Sequence, residues 1–339
     1  MKHNHLDKNK STEHLILHFL EQNQDKWLSG QALAERLNVT RNTIWRHINK
    51  LKAKGFLIET STGLGYRLKP SSDRLDKDRI YFYLNHPQKY DIKIYDSVSS
   101  TNTLLKEKAK NNAAAGTVLV ANSQMSGKGR LGRNFFSPPD TGVYFSLLLR
   151  PTLHFDLVQS SPALAAVALA QSLDFLLDIK TEIKWVNDIY LDGKKIAGIL
   201  SEGELDFENK QIKYLVIGLG VNVYEPNTDF PEEFRERATY LINNSNNSRE
   251  RDNLRNKIVA TFLNKWEFYS DPKHHKQALE IFRTKNFLLD KQVEVKVQAN
   301  SIKGIVRDIS NEFELIIENN NQEILYINHG EATLHKSNS

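Results

Sequence analysis

Cysteine is absent from all 339 residues. That excludes disulfide staples, thiolate metal sites and a cysteine nucleophile, and it fits a reducing compartment. No apolar stretch is long enough to span a bilayer. The longest, PALAAVALA at 162–170, stops at Gln171 and Asp174, well short of the ~20 residues a membrane helix needs. The amino-terminal MKHNHLDKNK has no apolar centre, so it does not read as a signal peptide. The expectation is a cytoplasmic protein with no membrane partner. No Ser-His-Asp or zinc-ligand arrangement presents itself either, and four of the histidines fall in the first 18 residues, where exposure is the ordinary reading.

Excess positive charge is scarce outside one region. The net charge is +5, yet residues 1–70 carry 12 Lys and Arg against 6 Asp and Glu, while the other 269 residues carry 34 against 35. A basic module on a neutral body points to nucleic acid for that module alone. Within it, EHLILHFLEQ (13–22), QALAERL (31–37) and RNTIWRHINKLKAK (41–54) have helical periodicity, the last two introduced by Ser29 and Thr40 as N-caps. Ile44, Ile48 and Leu51 fall at i, i+4 and i+7 and form one buried stripe. FLIET, STGLG and YRL then read as a hairpin with Gly63 and Gly65 in its tip. Three short helices and a hairpin make a winged helix-turn-helix over 11–70. Its recognition helix would bring Thr40, Arg41, Asn42, Thr43 and Arg46 to bases or phosphates in a major groove, with the hairpin on the adjacent backbone.

With 40% hydrophobic residues the remainder can build a substantial core, and its pattern is α+β. PSSDRLDKD (70–78) reads as a linker. A mixed-sheet domain is expected over 75–285, with strands near Ile92–Tyr95, at TVLVA (117–121), at VYFSLLLR (143–150) and at KYLVIGLGVNV (213–223). IKWVNDIY reads as a further strand, paired with the next around an Asp192-Gly193 turn. Helices are expected near 102–110, from Ser161-Pro162 to about Leu177, and over 251–269 and 274–283. From Val293 four short strands with polar turns suggest a small β-barrel domain over 287–335.

Residues 123–133, SQMSGKGRLGR, thread three cations through three glycines. The spacing formally matches G-x-G-x-x-G, but a pyrophosphate turn must open a helix, and NFFSPPDTG follows instead. No Lys-Ser or Lys-Thr closes the loop as a phosphate loop. What remains is a flexible cationic flap, in which Lys128, Arg130 and Arg133 wrap an anion while the glycines let backbone amides approach. Further on, Lys184, Asn187 and Asp188 interrupt IKWVNDIY, Lys195 stands beside the small Ala197 and Gly198, and Asn222 ends an apolar strand. Anion clamps without a nucleophile suit a reaction run by positioning and charge neutralisation, such as attack of a carboxylate on the α-phosphate of ATP.

The set SSTN (99–102), GKGRLGR (127–133), KWVNDIY (184–190), KKIAGIL (194–200) and GLGVN (218–222) resembles the biotin–protein ligases. With the amino-terminal winged helix it is similar to their bifunctional ligase and biotin-operon repressor members. The resemblance implies a central domain of the biotin/lipoate ligase type that joins biotin and ATP into biotinyl-5'-AMP and then transfers biotin to a lysine of a biotin carboxyl carrier protein. It implies that Ser100 and Thr101, with Asn102 in the same motif, and Gln124 bind the ureido ring, and that Gly127, Lys128 and Arg130 close over the adenylate. Phe135 would stack on adenine, and Lys195 would reach carboxylate and phosphate, with Gly198 leaving room. Asn187, Asp188 and Asn222 would position the nucleotide, its Mg2+ and the incoming lysine. Lys195, Arg130, Asp188 and Lys128 are thus the expected catalytic set. The adenylate would also act as corepressor by favouring a homodimer on operator DNA.

Two positions depart from the family pattern. Lys128 stands at the usual first arginine of the loop, keeping charge without the guanidinium fork, and Val186 stands at a usual proline. A lipoate-type ligase, or a biotin-sensing transcription factor with a degenerate enzyme domain, are the alternative readings. The retained Arg130 and Lys195 argue against the second.

Overall fold

The computed structural model of the protein describes residues 11–23, 25–69, 73–150, 155–206, 211–226, 230–235, 237–242, 253–297 and 300–334. The chain divides into two compact units, Met1–Phe82 with Asn246–Asn256 and Tyr83–Ser245 with Lys257–Ser339.

The first unit carries helices α1 (Thr12–Gln22), α2 (Gly30–Leu37) and α3 (Arg41–Ala53), then a hairpin of β1 (Ile58–Ser61) and β2 (Gly65–Leu68). Side chains cap all three helices: Ser11, Ser29 and Thr40 accept from the backbone N–H groups of His14, Gln31 and Thr43. Helix α1 packs against α3, and Ile16 and Leu20 of α1 are fully buried, as is the stripe of Ile44, Ile48 and Leu51 on α3. Glu13 takes bonds from Lys54 and faces His47, fastening α1 to the end of α3. Gly65 has φ +102° and passes so close to Leu28 that a Cβ would sit 2.1 Å from its carbonyl oxygen. Only glycine lets the wing pair with Leu28 there. The expected linker is partly structured: Asp76 accepts from the N–H groups of Asp78 and Arg79, so helix α4 (Lys77–Tyr83) starts inside it.

The second unit runs β3 (Asp91–Val98), α5 (Thr101–Lys110), β4 (Thr117–Gln124), β5 (Gly142–Leu149), α6 (Phe155–Leu177), β6 (Glu182–Lys184), β7 (Asp188–Leu191), β8 (Lys194–Asp206), β9 (Gln211–Asn222), α7 (Glu232–Arg235), α8 (Leu254–Tyr269) and α9 (His275–Lys285). Seven strands form one mixed sheet in the order β3-β4-β5-β9-β8-β7-β6. Only β3 and β4 are parallel, joined by α5 as parallel strands require a crossover. Leu105 and Ala109 of α5 pack on Leu119, Leu148, Tyr214 and Val216. Strand alternation leaves the buried Leu215, Ile217, Leu219 and Val221 of β9 on the other face. Helix α6 packs against β6 to β9, and its run Ala163–Ala170 is fully buried. The stretch Val158–Leu177 is long and apolar enough to cross a bilayer, but 67% of its apolar window is buried inside the protein.

Two local expectations are corrected. Helix α6 starts at Phe155, before Ser161-Pro162, and runs through the proline. Proline at 162 cannot donate to the Val158 carbonyl; Ser161 Oγ donates to that oxygen instead, at 2.8 Å. IKWVNDIY is two strands, not one. Lys184 pairs with Asp188 across an antiparallel turn at 185–187, which folds the charged residues back onto each other.

The carboxy-terminal strands β10 (Gln292–Val297), β11 (Asn300–Ile309), β12 (Leu315–Asn319), β13 (Ile324–Ile327) and β14 (Glu331–Leu334) form an antiparallel sheet ordered β13-β12-β11-β10-β14. It is not a barrel: β13 pairs only with β12 and β14 only with β10, so the ladder stays open. Because β13 and β14 are consecutive yet lie on opposite edges, the four steps from Ile327 to Glu331, about 14 Å at full stretch, force the sheet to curl. The three residues 328–330 span the remaining gap, and no ladder closes it.

Candidate functional site

Strand register lays out the floor of the site. One row across the sheet reads Ser146, Gly218, Leu200, and the next reads Tyr144, Gly220, Gly198, Asp188. The glycines leave the sheet bare on the α5 side, and named groups fill the space. A Cβ on Gly218 would lie 1.9 Å from Asn102 Oδ1, and one on Gly220 would lie 2.4 Å from the Phe135 ring. A Cβ on Gly198 would sit 3.1 Å from Lys195 Nζ and 3.4 Å from Phe135. Close approach of ligand groups and side chains to this floor is what the glycines permit.

Along one side of the floor runs a buried polar set. Ser100, Thr101 and Asn102 at the start of α5 are each at most 4% exposed, and Ser146 of β5 is fully buried. Ser100 Oγ caps α5 by accepting from Thr103 N–H. Gln124 Oε1 accepts from the Thr101 N–H at 2.9 Å, and its Nε2 donates to Ser137 Oγ at 3.0 Å, where the flap returns to the sheet. Gly127 is buried at that return, and a Cβ there would meet the Phe135 carbonyl at 2.4 Å.

On the other side lies the charge. Lys195 Nζ sits 2.7 Å from Asp188 Oδ1. Arg130 donates to Asn187 Oδ1 and to the Gly330 carbonyl, each at 3.0 Å, while Asn187 Nδ2 donates to the Ile199 carbonyl at 2.6 Å. Arg133 forms a two-pronged pair with Glu331, both bonds 2.6 Å. Burial pulls the Arg130 guanidinium below its ordinary pKa, partly offset by Asp188 and Glu331. Burial likewise lowers Lys184, against the pull of Asp188 and Glu331. The hydrogen bonds from Arg133 hold the Glu331 carboxyl below the usual carboxylate range despite its burial. The cluster is a half-dry patch rich in cations, where an anion gains more than it would in water.

Asn102, Phe135, Asp188, Lys195 and Gly198 thus gather at one floor, with Arg130 and Asn187 bonded to each other beside it. Asn222 Nδ2 donates to the Thr239 carbonyl and pins the loop beside β8. Lys128 is exposed and bridges to Asn134 through the backbone alone. Three participants carry no obvious mark in the sequence. Ser146 interrupts the otherwise apolar VYFSLLL stretch ahead of Arg150, which was its only signal. Glu202 holds Lys106 and Asn102 from the middle of β8. Glu331 lies 198 residues from Arg133, and nothing local announces their pairing.

In the first unit, Arg41, Asn42 and Arg46 are exposed on α3, Asn42 and Arg46 opposite its buried stripe and Arg41 beside it. Thr40 and Thr43 hydroxyls lie 2.9 Å apart and serve the helix cap. On the wing, Arg67 stacks over Trp27 at 4.6 Å and pairs with Glu59, so its charge is already balanced.

Comparison with known proteins agrees with this division. Residues 94–222 match the model of the Biotin/lipoate A/B protein ligase family, and residues 12–67 match that of an HTH domain. The chain is 34% identical over 255 residues to the bifunctional ligase/repressor BirA of Bacillus spizizenii, covering 75% of this chain and 78% of that one. It is 31% identical over 202 residues to BirA of Escherichia coli K12, covering 58% and 59%. Among solved structures, the Aquifex aeolicus biotin protein ligase in complex with biotin and ATP superposes with a TM-score of 0.58 at 28% identity, over 73% of this chain and 99% of that one.

Proposed function

The chain belongs to the BirA family of bifunctional biotin ligases and repressors, and from that premise we propose how its residues divide the work. The protein activates biotin with ATP to biotinyl-5'-AMP, passes biotin to a carrier protein, and represses transcription through its helix-turn-helix. In the first step a biotin carboxylate oxygen attacks the α-phosphorus and pyrophosphate leaves. In the second, a lysine amine attacks the acyl carbon, losing a proton, and AMP leaves.

The single observation behind the assignment of roles is the glycine floor, with polar hydrogen-bonding groups on one side and paired cations on the other. Ser100, Thr101, Asn102 and Gln124 hold the ureido ring, whose two N–H groups and carbonyl need buried partners. Lys195 and Arg130 meet the carboxylate and α-phosphate and neutralise charge developing on phosphorus. Gly127 and Lys128 close the flap, Gly198 leaves room for the ligand, and Asn187 holds Arg130 in place. Phe135 offers a face to adenine, and Asn222 keeps the loop after β9 at the nucleotide. Asp188 serves the positive species of each step, first Lys195 and then the incoming lysine.

Mg2+ fits the donor set in one way. Among the described residues no cluster of three potential ligands exists, but Mg2+ commonly takes one or two carboxylates and completes its shell with water and phosphate oxygens. Asp188 would hold it, and it would neutralise phosphate charge. The carrier is that of acetyl-CoA carboxylase or a related carboxylase, the site of action is the cytoplasm, and the repressor is a homodimer on a two-fold operator. Arg41, Asn42 and Arg46 reach its bases and phosphates, and Thr40 and Thr43 present the helix start to the backbone. Purified protein with labelled biotin, ATP and a carrier domain tests the ligase half, where absence of label on the carrier refutes it. Operator binding with and without biotinyl-5'-AMP tests the repressor half separately.

A further inference from the structure

Four tryptophans are spread along the chain, and packing accounts for three of them. Trp185 and Trp266 are buried, and Trp27 lies under the Arg67 guanidinium at 4.6 Å. Trp45 is 55% exposed, and among the described residues nothing stacks on its ring or accepts from its indole N–H. It is the fifth residue of α3, within the amino-terminal turns that a recognition helix brings to base edges. Residues three and four apart are neighbours on a helix surface, so Trp45 stands among Arg41, Asn42 and Asn49. Lys52 continues the same flank and donates to Thr60 Oγ1 of the wing at 2.7 Å, which turns this side of α3 toward the hairpin.

The surroundings point to one kind of partner. Helix α3 carries Arg41, Arg46, Lys50 and Lys52 and no acid. The other large apolar side chains left exposed among the described residues of the first unit, Leu57 and Leu64, lie at the foot and tip of the wing, and none lies on α1 or α2. The apolar surface is therefore confined to the helix and hairpin that bear the cations. Cations meet phosphates, which hold a protein in register and carry no sequence information. The thymine 5-methyl is the apolar group that base edges display in a major groove, and an indole without partners gains by covering it.

We propose that Trp45 is a specificity-determining residue for the operator, reading thymine through contact of its ring with the 5-methyl group at one position of each half-site. The proposal rests on the operator reading above. It assigns Trp45 a different task from Arg46: the arginine contributes affinity that salt screens, and the tryptophan contributes a choice of base that salt leaves alone.

The test uses the full-length protein with biotinyl-5'-AMP and a duplex that the native protein selects from random sequence, with each thymine of a half-site replaced in turn by uracil. Uracil keeps pairing and charge and removes one methyl. The native protein should bind one of these duplexes about fourfold more weakly than the parent, the worth of one buried methyl group. Trp45→Ala should bind the parent duplex more weakly by at least that factor and lose the thymine preference at that position alone. Its slope of log affinity against log salt should match the native one, because no phosphate contact is removed. Trp45→Phe, which keeps an apolar ring, should keep part of the preference. Uracil without effect at every position overturns the proposal, as does a native preference retained in Trp45→Ala. Weaker self-association of Trp45→Ala with the thymine preference intact would make Trp45 a protein contact and overturn it too. A native protein that selects no duplex refutes the repressor reading instead. Should Trp45→Ala lose its cooperative thermal transition, Trp45→Gln carries the same comparison.

Discussion

Lys195 and Asp188 come from neighbouring strands, and each neutralises the other until an anion arrives. Removing the lysine leaves a carboxylate facing the phosphates. Lys195→Ala should therefore cost about 100-fold to 1000-fold in kcat/KM for adenylation, read as pyrophosphate release; activity within threefold of the native protein would take Lys195 out of the chemistry. Gly218→Ala would push a methyl to 1.9 Å from Asn102 Oδ1, and biotin affinity should fall at least tenfold (~1.4 kcal/mol) in a calorimetric titration. Lys128→Arg restores a forked donor and should slow dissociation of biotinyl-5'-AMP, followed by chase with unlabelled ligand. At this scale residue type and spacing singled out Lys195, Asp188 and Asn187 as candidates, whereas Thr101 and Gln124 entered only through the family resemblance. Ser146 and Glu202 stayed hidden because a polar residue in a strand ordinarily faces water, and only the register of β5, β8 and β9 shows these two pointing inward.

The flap is the element whose behaviour depends most on partners far along the chain. Arg133 and Glu331 pair across it, and Arg130 reaches the Gly330 carbonyl at the start of β14. Arg133 is 61% exposed, so the pair is worth about 1 kcal/mol or less, enough to bias a loop and too little to govern folding. Glu331→Gln should raise cleavage of the flap by a nonspecific protease several-fold and raise KM for ATP while leaving biotin affinity unchanged. The pH dependence has a definite sign. The folded pKa of Glu331 is depressed, so the anchor is complete above the ordinary glutamate value of about 4.3 and weakens only as pH falls through the lower folded value. Flap proteolysis with an acid-active protease should rise in that range in the native protein and stay flat in Glu331→Gln. In α6, Ser161→Ala removes the donor that replaces the missing proline N–H, and stability should drop by about 1 kcal/mol in urea titration. The helix itself was legible from its apolar run, whereas its start was not, because a serine hydroxyl made an internal proline tolerable.

At the scale of the whole molecule, the two activities lie on separate units. Arg46→Ala should weaken operator binding and reduce the slope of log affinity against log salt by about 1, with biotin transfer to the carrier unchanged; loss of both together would contradict the division. Much of this organisation is written locally. Charge concentrated in residues 1–70, caps at Ser29 and Thr40, alternating apolar strands and the glycine-cation loop are short-range patterns, and each is read within a few turns or one strand. They determine a winged helix-turn-helix, a mixed sheet and the chemistry class of the site. The tertiary structure alone decided that the carboxy-terminal strands curl without closing, that Glu331 anchors the flap, and that three glycines from two strands make one floor. The physical reason is register: which residues of distant strands stand opposite each other is set by packing of the whole sheet, and a shift of one residue would turn every side chain to the other face.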